Sequence, residues 1–157
     1  LTTLPGARIV CPSFADDAVY EPGEVKVVAY NKDGKAVAEK TVRTAGKPHH
    51  IELVSNRNEL TADGKDLAYV TVKVVDKDGN LCPTDSRLIH FSVKGAGKFR
   101  AVANGDPTNL EQFHLPKMHA FHGMLTAIVQ AGEIAGDLVL TAKASGVKTG
   151  TVHLQAK

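Results

Sequence analysis

Hydrophobic and polar positions alternate along much of this chain. Ala68, Val70, Val72 and Val74 interleave with Tyr69, Thr71 and Lys73, so one face of a strand through them is apolar. The same alternation places Ile89, Phe91 and Val93 on one face, then Leu125, Ala127 and Val129, then Leu138, Leu140 and Ala142, and finally Val152 and Leu154. Ile51 and Leu53 open this series, and residues 24–30 and 35–42 read as an earlier strand pair. No segment sustains an apolar stripe of helical period. Gly and polar turns recur roughly every 8–12 residues, a spacing that fits an antiparallel sandwich. The pattern therefore predicts an all-β protein whose core forms where two sheets bury one face of each strand.

Turn chemistry divides the chain near Gly46 and Pro48, where one extended run ends and a new alternation starts at Ile51. Residues 1–47 hold two strong strand signals and a third around residues 8–11, a sheet that is marginal by itself. This segment is expected either to dock on the second domain or to have its first strands upstream of Leu1. Residues 48–157 contain enough alternating runs for a complete β-sandwich. A local echo links "VKVVAYNKDGKAV" (25–37) with "VKVVDKDGNLC" (72–82), each read as strand, turn and strand.

Charge and composition narrow the function classes. The net charge of +2 comes with no basic stripe, which disfavours nucleic acid as a partner. Trp is absent, and aromatic residues are scarce, so a stacked sugar platform is poorly supported. No apolar run approaches the roughly 20 residues that span a bilayer. The chain starts at Leu1 without a basic-then-apolar leader pattern, and is expected to be a fragment of something longer. Cys11 and Cys82 lack CxxC spacing. A bridge between them and two buried free thiols are both open, with free thiols preferred.

Candidate chemistry is sparse. The 76–80 stretch, "DKDGN", has Gly in fourth place and Arg87 in twelfth, unlike a calcium loop with Gly sixth and Glu twelfth. Asp-Gly instead supplies the positive φ of a tight turn, and Asn31 to Gly34 reads the same way. His114, His119 and His122, with His90 as a fourth, are close enough in sequence to raise a zinc site. On a strand, however, His119 and His122 would point to opposite faces, and solvent-facing or hydrogen-bonded histidines are preferred. Asp16, Asp17, Glu21 and Glu24 read as a solvated loop rather than a hydrolytic pair. No GxSxG, HExxH, Walker or GxGxxG pattern is present.

The 103–109 stretch, "ANGDPTN", comes after an alternating run and precedes the histidines. Asn-Gly tolerates left-handed backbone, Asp bonds its own downstream amides and Pro fixes φ. A rigid corner is the preferred reading. The alternative is ligand contact, with Asn104 and Asp106 presenting oxygens to a sugar or cation and His119 beside them. No cofactor and no metal is expected.

Longer stretches carry a resemblance. "YEPGEVKVVAYNKDGKAVAEKTVRTAGKP" (20–48) resembles the end of an immunoglobulin-like domain that comes after the catalytic barrel in bacterial β-galactosidases of glycoside hydrolase family 2. "LTADGKDLAYVTVKVVDKDGNLCPTDSRLIHFSVKGAGKFRAVANGDPTNLEQF" (60–113) and "KMHAFHGMLTAIVQAG" (117–132) are similar to the C-terminal domain that comes next. Residues 1–19 match poorly. The resemblance implies a partial immunoglobulin-like domain over 1–47 and an immunoglobulin-like sandwich over 48–157. It implies that both catalytic glutamates lie upstream of Leu1, and that the upstream barrel of the same chain is the partner. It also implies an accessory, non-catalytic role in hydrolysis of β-galactosides or related glycosides. Subunit contacts and a periplasmic or surface location in a bacterium are further implications of the same resemblance. Two other readings remain: a carbohydrate-binding module acting through residues 104–122, and an immunoglobulin-like spacer or adhesion module.

Overall fold

The computed structural model describes residues 8–9 and 22–157, and the chain divides into two compact units, Leu1–Thr44 and Ala45–Lys157. Among the described residues there are twelve strands and no helix. Cys11, Asp16, Asp17 and Glu21 lie outside the described residues, as does any extension of the first strand toward residue 11.

The first unit is a three-stranded antiparallel sheet in the order β1 (Arg8–Ile9), β2 (Glu24–Tyr30), β3 (Ala36–Arg43). The turn between β2 and β3 is built by the Asn31 side chain, whose Oδ1 accepts the amides of Asp33 at 3.0 Å and Lys35 at 2.9 Å. Gly34 takes φ 76° there, in the left-handed region that glycine enters without penalty. Seven of the eight residues of β3 are exposed, so this strand buries little of its own surface.

The second unit is a two-sheet sandwich. One sheet has the order β4 (His50–Ser55), β6 (Leu67–Val75), β10 (Met124–Ala131), β8 (Gly97–Ala103). The other has the order β5 (Glu59–Leu60), β12 (Gly150–Ala156), β11 (Gly136–Lys143), β7 (Leu88–Gly95), β9 (Lys117–His119). Ladder pairing is antiparallel apart from the short parallel join of β12 to β5.

The expected alternation appears as burial. Val72 sits opposite Leu125, Val70 opposite Ala127 and Ala68 opposite Val129, and all six are buried. From the other sheet Ile89, Phe91, Met118, Leu138, Leu140 and Leu154 close the core. Burying one such side chain contributes about 1.5–3 kcal/mol, and the strip continues through both sheets.

The alternation does not reach every part of this fold. β5 and β9 have two and three residues, too short for a period-two signal. The echo between 25–37 and 72–82 is partial: the first copy is a full hairpin, whereas after Asn80 the second makes a single bridge, Val75 to Leu81.

Candidate functional site

The 103–109 corner leaves the end of β8 and is organised by its own side chains. Asn104 Nδ2 donates to the His119 carbonyl at 3.0 Å, and Asn104 Oδ1 accepts the Asp106 amide at 3.1 Å. Gly105 takes φ 78° between them. Asp106 Oδ1 then accepts both the amide and the hydroxyl of Thr108, at 2.8 and 2.7 Å. Those two donors, the hydroxyl foremost and with His122 nearby, hold the Asp106 carboxyl below its ordinary value. Asn109 Oδ1 accepts the Glu111 amide at 2.9 Å, while its buried Nδ2 has no hydrogen-bond partner.

His119 closes the loop back onto this corner. Glu111 Oε2 accepts the His119 amide at 3.0 Å, and Oε1 lies 3.0 Å from His119 Nδ1. Burial pushes the Glu111 carboxyl upward, but the His119 amide and ring outweigh it and the net direction is down. The structure thus brings together all three sequence-nominated residues, Asn104, Asp106 and His119. It joins them by hydrogen bonds within the corner, one of them to the His119 backbone.

The histidines themselves separate. His119 ends β9, whereas His122 lies in a two-residue hairpin closed by the reciprocal bonds Phe121 N to Met124 O at 2.9 Å and Met124 N to Phe121 O at 3.0 Å. Both turn residues have positive φ, 51° at His122 and 72° at Gly123, the pattern of a type I′ turn. A Cβ on Gly123 would lie 2.2 Å from the Cys82 carbonyl oxygen, so only glycine fits. His122 stacks edge-on against Phe121 at 4.2 Å and its Nδ1 lies 3.4 Å from the Pro83 carbonyl oxygen. Among the described residues no three His, Cys, Asp or Glu side chains are placed to hold a metal ion.

Two carboxylates that sequence reasoning passed over or read only as turn formers are the most completely engaged. Asp76 is 2% exposed. Its Oδ1 accepts the amides of Asp78 at 2.9 Å and Asn80 at 2.8 Å, and its Oδ2 accepts the Gly46 amide at 2.8 Å and Asn80 Nδ2 at 3.0 Å. The Gly46 amide first, then Asn80, hold this carboxyl well below the usual carboxylate range against the opposing effect of burial. Four N–H donors around one carboxylate make a hub for amides, the opposite of a calcium loop, in which oxygens converge on a cation.

Asp85 is gripped by Arg87 through Nε at 2.8 Å and Nη2 at 2.6 Å. Burial opposes the charged Asp85, and Arg87 reverses it, so the carboxyl lies low. Arg87 also donates from Nη1 to the Ser145 carbonyl at 2.6 Å, and its own carbonyl accepts the Ala120 amide at 3.0 Å. This pair sits at the base of the His122 hairpin, because the Gly123 amide donates to the Asp85 carbonyl at 2.8 Å. No local motif announces it. The signal available was only an Asp two residues before an Arg in a polar turn. Cys82, beside these groups, is a buried free thiol whose ionisation burial pushes up.

Chemically, the arrangement braces loops. Asp66, Asp76, Asp85, Asp106 and Glu111 each accept from turn amides or a neighbouring side chain. General acid–base hydrolysis instead needs two carboxyl groups facing each other across a substrate.

A family model described as glycoside hydrolase family 2 C-terminal domain 5 matches residues 51–153. The chain is 44% identical over 138 residues to the β-galactosidase BoGH2A of Bacteroides ovatus, covering 88% of this chain and 16% of that enzyme. It is 34% identical to a β-galactosidase of Thermoanaerobacter pseudethanolicus, covering 71% of this chain and 13% of that enzyme. A crystal structure of a glycosyl hydrolase family 2 member from Bacteroides cellulosilyticus superposes with TM-score 0.82 at 31% identity, covering 89% of this chain and 18% of that one. The chain therefore spans less than a fifth of the length of these relatives.

Proposed function

Because the chain belongs to the glycoside hydrolase family 2 C-terminal domain 5 family, we propose that it is a non-catalytic accessory region of a longer bacterial enzyme that hydrolyses terminal β-galactosides or related β-glycosides. Residues 1–47 are the C-terminal part of one immunoglobulin-like domain, and residues 48–157 form the next, complete one. The catalytic barrel, with its glutamates, lies in the same polypeptide outside this sequence. The periplasm or cell surface is the compartment this reading favours.

The observation that carries the reading is the use made of the carboxylates. Asp76 and Asp85 are fully engaged as acceptors inside the fold, and Asp106 and Glu111 brace the corner around His119. Each of the four carboxylates is committed to a bond within the fold. The test is hydrolysis of a chromogenic β-galactoside by the 157-residue chain and by the full-length enzyme. Turnover is expected from the full-length protein alone, and turnover by the fragment overturns the reading.

Glycan capture at Asn104, Asp106 and His119 is the second reading. It is favoured by one observation: Asp106 accepts through Oδ1, leaving Oδ2 for an outside donor. Calorimetry of the fragment with galactosides and plant oligosaccharides decides it, with no heat expected under the accessory reading.

A further inference from the structure

The loop from Asn104 to Pro116 carries Leu110 at 97% exposure, Phe113 at 55% and Leu115 at 36%. Most exposed apolar side chains on a protein surface are scattered singly and mean nothing, as with Ile134 between β10 and β11. Here three exposed apolar side chains fall within six residues of one loop, a concentration that the scattered ones lack.

The loop is also firmly held. Besides the Asn104, Asp106, Asn109 and Glu111 bonds, its far half is tied to both sheets. The Phe113 carbonyl accepts the Val102 amide of β8 at 2.8 Å, and the Pro116 carbonyl accepts the Phe91 amide of β7 at 2.8 Å. Leu115 N donates to Gln112 O at 3.3 Å within a turn. Asn104, Asp106, Asn109 and Glu111 thus fix the backbone of the loop, and Leu110 and Phe113 are left exposed on that support. Preorganisation of this kind lowers the entropic cost of binding.

We propose that residues 104–116 dock this domain onto the catalytic body of its own polypeptide, with Leu110 and Phe113 seated against an apolar face there. This rests on the accessory reading given above. In relatives of this family more than four fifths of the chain lies outside the matched part, so a large body of covalently attached protein is available as the occupant. A tethered partner needs only a small patch, because the linker keeps its effective concentration high. A glycan is the poorer fit, since the corner's polar groups are largely bonded to one another while the outward side chains are apolar.

The test uses the full-length enzyme with the photoreactive residue benzoylphenylalanine in place of Leu110. Irradiation and then peptide mass spectrometry are expected to join position 110 to a peptide N-terminal to Leu1 of the same molecule. Links between two copies, links to residues 1–44, or no link at all overturn the docking. A second variant, Leu110→Asp with Phe113→Ser, changes exposed side chains and leaves the core in place. It is expected to raise the rate of proteolytic release of this domain from the full-length enzyme by about tenfold, with an unchanged far-ultraviolet spectrum for the released domain. An unchanged release rate counts against the docking. Fragment hydrolysis, by contrast, defeats the accessory reading and leaves the cross-linking result to stand or fall separately.

Discussion

The 76–80 turn and the 103–109 corner are made of the same residue types, and the fold uses them differently. In each, an Asp or Asn accepts the amides two residues ahead and a glycine supplies the left-handed angle, φ 84° at Gly79 and 78° at Gly105. Asp76, however, also reaches across the sequence to the Gly46 amide, which places it under the start of the second unit. It ends up buried, with both oxygens doubly occupied. The Asp106 carboxylate stays local, bonding only Thr108, and its corner is joined to the rest of the sandwich by Asn104 and Glu111 through His119. One long-range bond therefore separates a structural hub from a rim element. The rim element is the one that also presents an exposed leucine.

The largest expected effect of breaking this contrast is at the hub. Asp76→Ala leaves the Gly46, Asp78 and Asn80 amides and the Asn80 side chain without their acceptor. A buried carboxylate that accepts four hydrogen bonds is costly to remove, so the midpoint of thermal unfolding should fall by on the order of 10 °C for a domain of this size. Differential scanning calorimetry checks it, and a shift no larger than that of the Asp106 variant would erase the distinction.

The acid limb of stability sharpens the same point with a smaller effect. The Asp76 carboxyl is depressed in the folded chain, while in the unfolded chain it titrates near about 4. A depressed acid contributes stability above its unfolded value, and that contribution is lost as pH falls through its folded value. Denaturant midpoints measured from neutral pH downward should therefore drop more steeply below about pH 4 in the parent chain than in Asp76→Ala. Parallel curves for the two proteins would mean that Asp76 is not the group responsible.

Much of the sandwich was legible because burial imposes a period of two on long strands. Ala68 to Val74 and Leu125 to Val129 each declare their inner face, and in the fold they pair with one another. The strands that escaped, β5 and β9, are held by neighbours rather than by their own pattern: β9 contributes the single buried Met118. The corner was legible as a turn, since Asn, Gly, Asp and Pro carry local preferences. The His122 hairpin was not, because His-Gly is a rare occupant of a turn that needs two positive φ angles. Its support, the Asp85 and Arg87 carbonyls that accept the Gly123 and Ala120 amides, comes from residues 38 and 33 positions away. The exposure of Leu110 was equally invisible, since a leucine between Asn109 and Glu111 reads as readily buried as not. Sequence pattern reports what a side chain prefers, and loops are where tertiary geometry decides.

The smallest expected effect is at the rim. Asp106→Ala removes the acceptor for the Thr108 amide and hydroxyl, but both donors lie where water can replace it, so each lost bond is largely exchanged for another. The Asn104 bond to His119 O and the two Glu111 bonds to His119 remain to hold the corner. The unfolding midpoint should fall by only a few degrees, with the far-ultraviolet spectrum unchanged. If the loop docks as proposed, the same variant in the full-length protein should leave position 110 able to cross-link to the body outside this sequence, because the ties at Phe113 and Pro116 to β8 and β7 are independent of Asp106. Loss of that cross-link with the fold intact would mean that Asp106 itself sets the pose of Leu110. The corner would then be a working part of the docking surface rather than its frame.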